Sequence, residues 1–463
     1  MSITSAQQKR FRIHAAKWES LCARYLPITT SDSIWRYSRL GNPDDAEQGW
    51  KLHISANILS ANKTFARVAP YLRKTNVLFK APCSLEELQK LNSGLLYGYS
   101  QVGKFITIYP RNASEARSMA IELDRLTTGL PPAPLIPFDS HFGPGSAVYY
   151  RYGSFHLQMA DGSTNSAIRT PDGELIEDLR TNGEVKPKWV VDLFPQQPPD
   201  SSSNQALSST PFRVIRALSQ RGKGGVYEGI DFSVDPPQPC IIKQGRFGGE
   251  VSWDGKDGAW MLKNETQILE TLARAGIEVP LTYAKFSVQK NYYVVMERIE
   301  GETLQSFLEK RQRRLSIRQV LDFARQISSL LMRIHRAGWL WLDCKPANLM
   351  LTPNGKLRPF DFEGSCSLRR STSLQWQTPA FISPRISGND DGLLSPSEDV
   401  YALGVTCYFL LTGRLPEHSV KTSISRLRRR VPKQMQDVIE LLLDPDPRVR
   451  PRTEEVGTLL ACC

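Results

Sequence analysis

The chain has 463 residues, 40% of them hydrophobic and 9% aromatic, with a formal charge of +12. That length suits about two domains, and the composition excludes a disordered or fibrous chain. Eight cysteines without a C-x-x-C pair, and only six histidines, exclude a disulfide framework and zinc-finger spacing.

The first residues, Met1 to Arg12, lack the apolar stretch of a secretory signal. The longest apolar run, Val400 to Leu411, is too short to cross a bilayer. A cytoplasmic protein with no membrane partner is expected. The positive charge favours anionic partners such as nucleotides and phosphopeptides. The basic run Arg426 to Arg430 has no interleaved aromatic residues, so it reads as a helix face and no nucleic-acid partner is expected.

In the N-terminal part, Trp50, Leu52 and Ile54 alternate with Lys51, His53 and Ser55, the pattern of a half-buried strand with Lys51 and His53 on one face. Lys104–Tyr109 and Ala147–Tyr152 are rich in β-branched and aromatic residues and also read as strands. Ser84 with Glu87, and Asn112 with Glu115, have the spacing of helix N-terminal caps. This is an α+β domain, predicted over residues 1–194. Lys51, His53, Lys80, Lys104, Tyr109 and Arg151 could converge into a pocket for a phosphate dianion, or could be exposed strand residues on a basic surface. Residues 195–210, rich in Pro, Ser and Gln, read as a linker.

Residues 211–463 open with strands and then turn helical, carrying four motifs in a fixed order. A glycine-rich turn, with Gly222, Gly224, Gly225 and Val226, can cover nucleotide phosphates with backbone amides. Lys243 ends a short apolar strand, and Glu265 shares a helix face with Ile268, Leu269 and Leu272, so the carboxylate needs a cationic partner and Lys243 supplies one. Asp343-Cys-Lys345-Pro-Ala-Asn348 has the pattern D-x-K-P-x-N, in which Asp343 would orient a substrate hydroxyl, Lys345 steady the transferred phosphate and Asn348 bind a metal ion. Asp361-Phe362-Glu363 follows, with Asp361 as a magnesium ligand. Arg298, just after Met296-Glu297, falls where a hinge meeting the base would lie, and Glu297 is counted with the nucleotide-binding residues. Thr378–Pro384 resembles a substrate-platform segment, and a glycine-rich stretch from Gly245 to Gly258 reads as either a peptide dock or a mobile loop.

These motifs resemble the protein kinase superfamily, which implies a bilobal fold using ATP or GTP with Mg²⁺. The pattern departs at Ser219 and Arg221 (usually glycines), at Trp341-Leu342 (usually His-Arg), at Glu363 (usually glycine) and at Arg385, which stands where a glutamate normally pairs with the late arginine, here Arg450. The lost arginine before Asp343 implies that activation-loop phosphorylation is not required.

Over nearly the whole chain, GWKLHIS, Phe79-Lys80, GKFITIYP and VYYRYG, followed by the linker and a kinase with D-F-E, resemble class III lanthipeptide synthetases. Their N-terminal part is similar to phosphothreonine lyases. The resemblance implies phosphorylation of Ser and Thr in a ribosomally made precursor peptide with a leader segment, then phosphate elimination to dehydroalanine or dehydrobutyrine. It makes Lys80 the base, which must be neutral to act and is helped by neighbouring positive charge. It makes His53 the general acid and Lys51, Arg151 and Lys104 the phosphate ligands, with no metal in that step. Such synthetases normally carry a cyclase-like domain after the kinase. This sequence stops at Cys463, so either the gene lacks a cyclase or the sequence is truncated, and any ring closure is expected to be spontaneous or the work of a separate cyclase. The alternative is a Ser/Thr signalling kinase with an N-terminal phosphate-binding domain.

Overall fold

The computed structural model describes residues 5–29, 34–155, 166–178, 186–194, 207–311, 314–369, 378–384, 394–416 and 424–463. Most of the expected linker, residues 195–206, and Arg385 lie outside them. The chain divides into two compact units, one holding Lys9–Leu262 with Lys285–Val294, the other Lys263–Ala284 and Val295–Cys463 with the first eight residues.

The first unit takes in helix α1 (Ser5–Tyr25) from Lys9 onward and strands β1 (Ile28–Thr29), β2 (Trp35–Tyr37) and β3 (Gln48–Ile54). Then come α2 (Ala61–Thr75), β4 (Leu78–Pro82), α3 (Leu85–Ser93), β5 (Ile106–Tyr109), α4 (Ala113–Thr127), β6 (Ser140–His141) and β7 (Val148–Ser154). The strands form one seven-stranded sheet in the order β1-β2-β4-β5-β3-β7-β6. The expected caps start their helices: Ser84 accepts from the Glu87 amide and Asn112 from the Glu115 amide, each satisfying an otherwise orphaned N–H. On one side of the sheet lie Leu52, Ile54, Phe79, Ile106 and Ile108, all fully buried. Trp18 of α1 packs edge-on against Phe65 of α2 with ring centres 5.0 Å apart, and Phe65 meets Phe79 of β4 at 6.4 Å. The strand predicted as half-buried is buried on both sides at its end, since His53 and Ser55 are only 3% and 2% exposed.

After the small hairpin β8 (Ala167–Arg169) and β9 (Leu175–Glu177), a five-stranded sheet opens the kinase-like region. Its strands are β10 (Phe212–Arg221), β11 (Gly224–Asp231), β12 (Gln238–Gly245), β13 (Thr282–Val288) and β14 (Asn291–Glu297), in the order β10-β11-β12-β14-β13, with helix α5 (Gly258–Arg274) between β12 and β13.

The rest is largely helical. Short α6 (Leu304–Glu309) precedes α7 (Ile317–Arg336), whose N-cap Ser316 makes a full capping box with Gln319. Further helices are α8 (Pro396–Thr412), α9 (Ile424–Leu427), α10 (Lys433–Leu442) and α11 (Thr453–Ala461). Helix α8 is buried nearly all round, as expected of a core helix. Among the described residues, no helix is long and apolar enough to cross a membrane.

Candidate active sites

The first site is written in the register of the seven-stranded sheet. Residues directly opposite one another on paired strands point to the same face. Across the sheet Tyr37 pairs with Lys80, Lys80 with Thr107, Thr107 with His53, His53 with Tyr149 and Tyr149 with His141. Lys51 and Arg151, two residues along from that row, oppose each other on β3 and β7. The face turned away from the apolar core therefore carries Lys51, His53, Lys80 and Arg151 together. Lys104 lies just before β5 and is 4% exposed.

Two acidic residues complete this face. Asp139 Oδ2 lies 2.5 Å from His53 Nδ1, and its other oxygen lies 3.9 Å from the Lys104 amine. Asp178 Oδ1 accepts from the Arg151 guanidinium at 2.5 Å, with both side chains buried. Burial alone would raise the Asp139 carboxyl, but Lys104, His53 and Arg151 hold it well below the usual carboxylate range. Burial pulls the His53 imidazole down to about 4, reinforced by Lys104 and Lys51 and opposed by Asp139. Lys80 sits among rings, its amine 4.5 Å from the centre of Trp35, 5.9 Å from Tyr37 and 6.0 Å from Tyr109. Burial pushes the Tyr109 phenol up. Five basic side chains against two carboxylates leave a surplus of positive charge suited to a dianion.

Neither acidic residue was found by sequence reasoning, because each is a lone carboxylate outside the patterned strands. The Asp139–His53 contact joins positions 86 residues apart.

The second site lies in the helical unit. Asp343 Oδ2 accepts from Lys345 Nζ at 2.7 Å and from Asn348 Nδ2 at 2.7 Å. The Thr378 hydroxyl accepts from Lys345 and donates to Asp343 Oδ1 at 2.8 Å, so the platform segment supplies a side chain to the cluster. Behind it, the Asp399 carboxylate accepts from the amides of Trp341 (2.9 Å) and Leu342 (2.6 Å) and lies 2.8 Å from His335 Nε2. These bonds hold Leu342 at φ 64°, a left-handed conformation that costs a branched residue about 1–3 kcal/mol. Asp361 is likewise at φ 62°.

Trp341, which departs from the usual kinase pattern, is fully buried. It stacks on Phe362 with ring centres 5.3 Å apart and donates from Nε1 to the Asp361 carbonyl at 3.2 Å. Glu265 Oε1 accepts from the Phe362 amide at 3.3 Å. Arg450, whose usual partner position holds Arg385, meets Glu398 instead at 3.7 Å. The Glu297 carboxylate is forked by Arg358 and accepts from the Leu281 amide at 3.2 Å, and the Arg358 bond in particular holds it below its ordinary range.

Gly222 and Lys223 form the turn between β10 and β11, where Arg221 pairs with Gly224. The Gly222 amide already donates to the Ser93 carbonyl at 3.1 Å, while Gly224, Gly225 and Val226 begin β11, the last opposite Lys243 on β12. Among the described residues no cluster of three His, Cys, Asp or Glu side chains could hold a metal. Asn348 and Asp361 offer oxygen donors, the hard ligands magnesium prefers.

Residues 27–206 match the family described as RamC, N-terminal domain, and residues 252–458 match the protein kinase domain. The pair, in this order, matches class III lanthipeptide synthetases. The chain is 28% identical over 365 residues to a probable SapB synthase of Streptomyces coelicolor, covering 76% of this chain and 39% of that protein. It is 26% identical to serine/threonine-protein kinase PknA of Mycobacterium tuberculosis, over 52% of this chain and 58% of the kinase. It is 29% identical to serine/threonine-protein kinase F of Synechocystis, over 53% of this chain and 54% of that protein. The chain thus spans only two fifths to three fifths of these relatives.

Proposed function

We propose that the chain is a peptide-modifying kinase–lyase that phosphorylates Ser and Thr of a ribosomally made precursor peptide and then eliminates the phosphate. The observation that carries this reading is the sheet row that sets Lys80, His53, Lys51 and Arg151 on one face, in a chain that also holds the Asp343 cluster. The domain limits proposed are 1–194, 195–210 and 211–463. A signalling kinase would have no use for a buried His–Asp pair beside a cationic row.

In the kinase step Asp343 orients the substrate hydroxyl and accepts its proton, while Lys345 steadies the phosphoryl group passing from ATP or GTP. Asn348 and Asp361 would hold Mg²⁺, which neutralises phosphate charge when bound. Gly224, Gly225, Val226 and Lys243 meet the nucleotide phosphates. The Glu297 carboxylate is occupied by Arg358, so its stretch would meet the base through backbone groups.

In the lyase step the Lys80 amine takes the Cα proton. The electron pair forms the Cα–Cβ double bond and the Cβ–O bond breaks. His53 gives its proton to the departing oxygen, so the products are dehydroalanine or dehydrobutyrine and hydrogen phosphate. Lys51, Lys104 and Arg151 hold the dianion. Burial is what chiefly lowers His53, and the negative charge of the bound phosphate, like that of Asp139, favours the imidazolium against it. Lys51, Lys104 and Arg151 do the neutralising, and no metal is needed.

The test is a synthetic phosphoserine peptide, given to the enzyme with a chelator and no nucleotide. Release of inorganic phosphate with a thiol-trappable alkene, lost in Lys80→Ala, is the expected result. No release from the wild-type chain, with kinase activity intact, would leave the signalling-kinase alternative.

A further inference from the structure

The glycine hairpin that should cover the nucleotide is seated on the N-terminal domain. Besides the Gly222–Ser93 bond, a Cβ built on Gly222 would lie 1.7 Å from the Asn92 carbonyl oxygen. The glycine is needed there because another backbone approaches it. The flanks of the turn are held by Arg246, whose amide donates to the Lys223 carbonyl at 2.8 Å and whose guanidinium donates to the Arg221 carbonyl. That guanidinium lies over the Tyr99 ring, 5.1 Å from its centre. The segment beyond Arg246 is clasped as well. Trp253 is 3% exposed, packs against Phe11 and His14 of α1, and accepts from Arg10 at 3.0 Å.

We propose that Tyr99 is a positioning residue for nucleotide binding. Acting through Arg246, it fixes the turn Arg221-Gly222-Lys223-Gly224 in the shape that meets the phosphates. This rests on the kinase part of the proposed function. It accounts for Ser219 and Arg221 where glycines are usual, because a turn clamped from outside needs less freedom of its own.

The test is Mg²⁺–ATP binding to the full chain by calorimetry, for wild type, Tyr99→Leu, Arg246→Met, the double variant and Tyr99→Phe. A cation–π contact of this kind supports a loss of about three- to tenfold in affinity for each single variant. The double variant should be no weaker than Arg246→Met alone, which loses both the Tyr99 contact and the bond to the Arg221 carbonyl, because Tyr99 acts only through Arg246. Tyr99→Phe keeps the ring but not the hydroxyl that also meets Arg246, so it should lose less affinity than Tyr99→Leu. Arg246→Met should still eliminate phosphate from a phosphoserine peptide at the wild-type rate, which shows that the chain is folded. Unchanged affinity in the single variants, or losses that simply add, would overturn the proposal. Absence of nucleotide binding by the wild-type chain would instead count against the kinase reading.

Discussion

Asp139→Asn tests the proposed lyase site through the carboxylate behind His53. The carboxylate lies 2.5 Å from His53 Nδ1 with a side chain that is 0% exposed, so the pair is shielded from solvent. With charge centres about 4 Å apart and an effective dielectric near 20, the carboxylate stabilises the imidazolium by at most about 4 kcal/mol, or nearly three pKa units. Asparagine keeps the shape and a hydrogen bond but removes that charge. Because Asp139 raises His53 against the pull of burial, its loss lowers the imidazole further, and the protonated acid becomes scarcer at any given pH. Elimination from a phosphoserine peptide should fall roughly 10²- to 10³-fold at neutral pH. The alkaline limb of the rate profile should move to lower pH, since the acid loses its proton earlier. Phosphate release at several pH values, with nucleotide turnover measured beside it, is the assay. A rate within threefold of wild type and an unmoved limb would refute the role given to the His53–Asp139 pair.

Arg151→Met leaves Asp178 buried without its cation and removes a proposed phosphate ligand. KM for the phosphopeptide should rise about 10- to 100-fold, and stability should fall by about 3 kcal/mol in denaturant titration. Asp361→Ala should abolish Mg²⁺-dependent peptide phosphorylation while elimination from a presynthesised phosphopeptide continues, as phosphate release would show. Trp341→Ala removes a fully buried ring stacked on Phe362; a loss of about 3–5 kcal/mol in unfolding free energy is expected, with kinase activity falling alongside.

The proposed kinase site was legible as a cluster because its residues are close in sequence. Asp343, Lys345 and Asn348 sit in one loop, and their hydrogen bonds follow from that spacing. The cationic face of the sheet was legible only in pieces. Alternation in β3 placed Lys51 and His53 together, but nothing in the sequence says that β4 reaches β3 through β5 and that β7 flanks it on the other side. That strand order is what carries Lys80 and Arg151 to the same face. Asp139 and Asp178 were missed because a single carboxylate outside a strand has no pattern of its own. Trp341 was read as a departure from the usual motif, and its packing on Phe362 became visible only with the fold. Gly222 was assigned to phosphate binding for its type, whereas its amide and Cα are committed to Ser93 and Asn92.

The most direct test of the central claim is mass spectrometry of a candidate precursor peptide incubated with the full chain, Mg²⁺ and ATP or GTP, with Lys80→Ala in parallel. The account predicts a loss of about 18 Da per modified site with the wild type, and a gain of about 80 Da per site with the variant, as phosphate is added but not removed. A gain of about 80 Da with both would contradict it, leaving a kinase without a lyase.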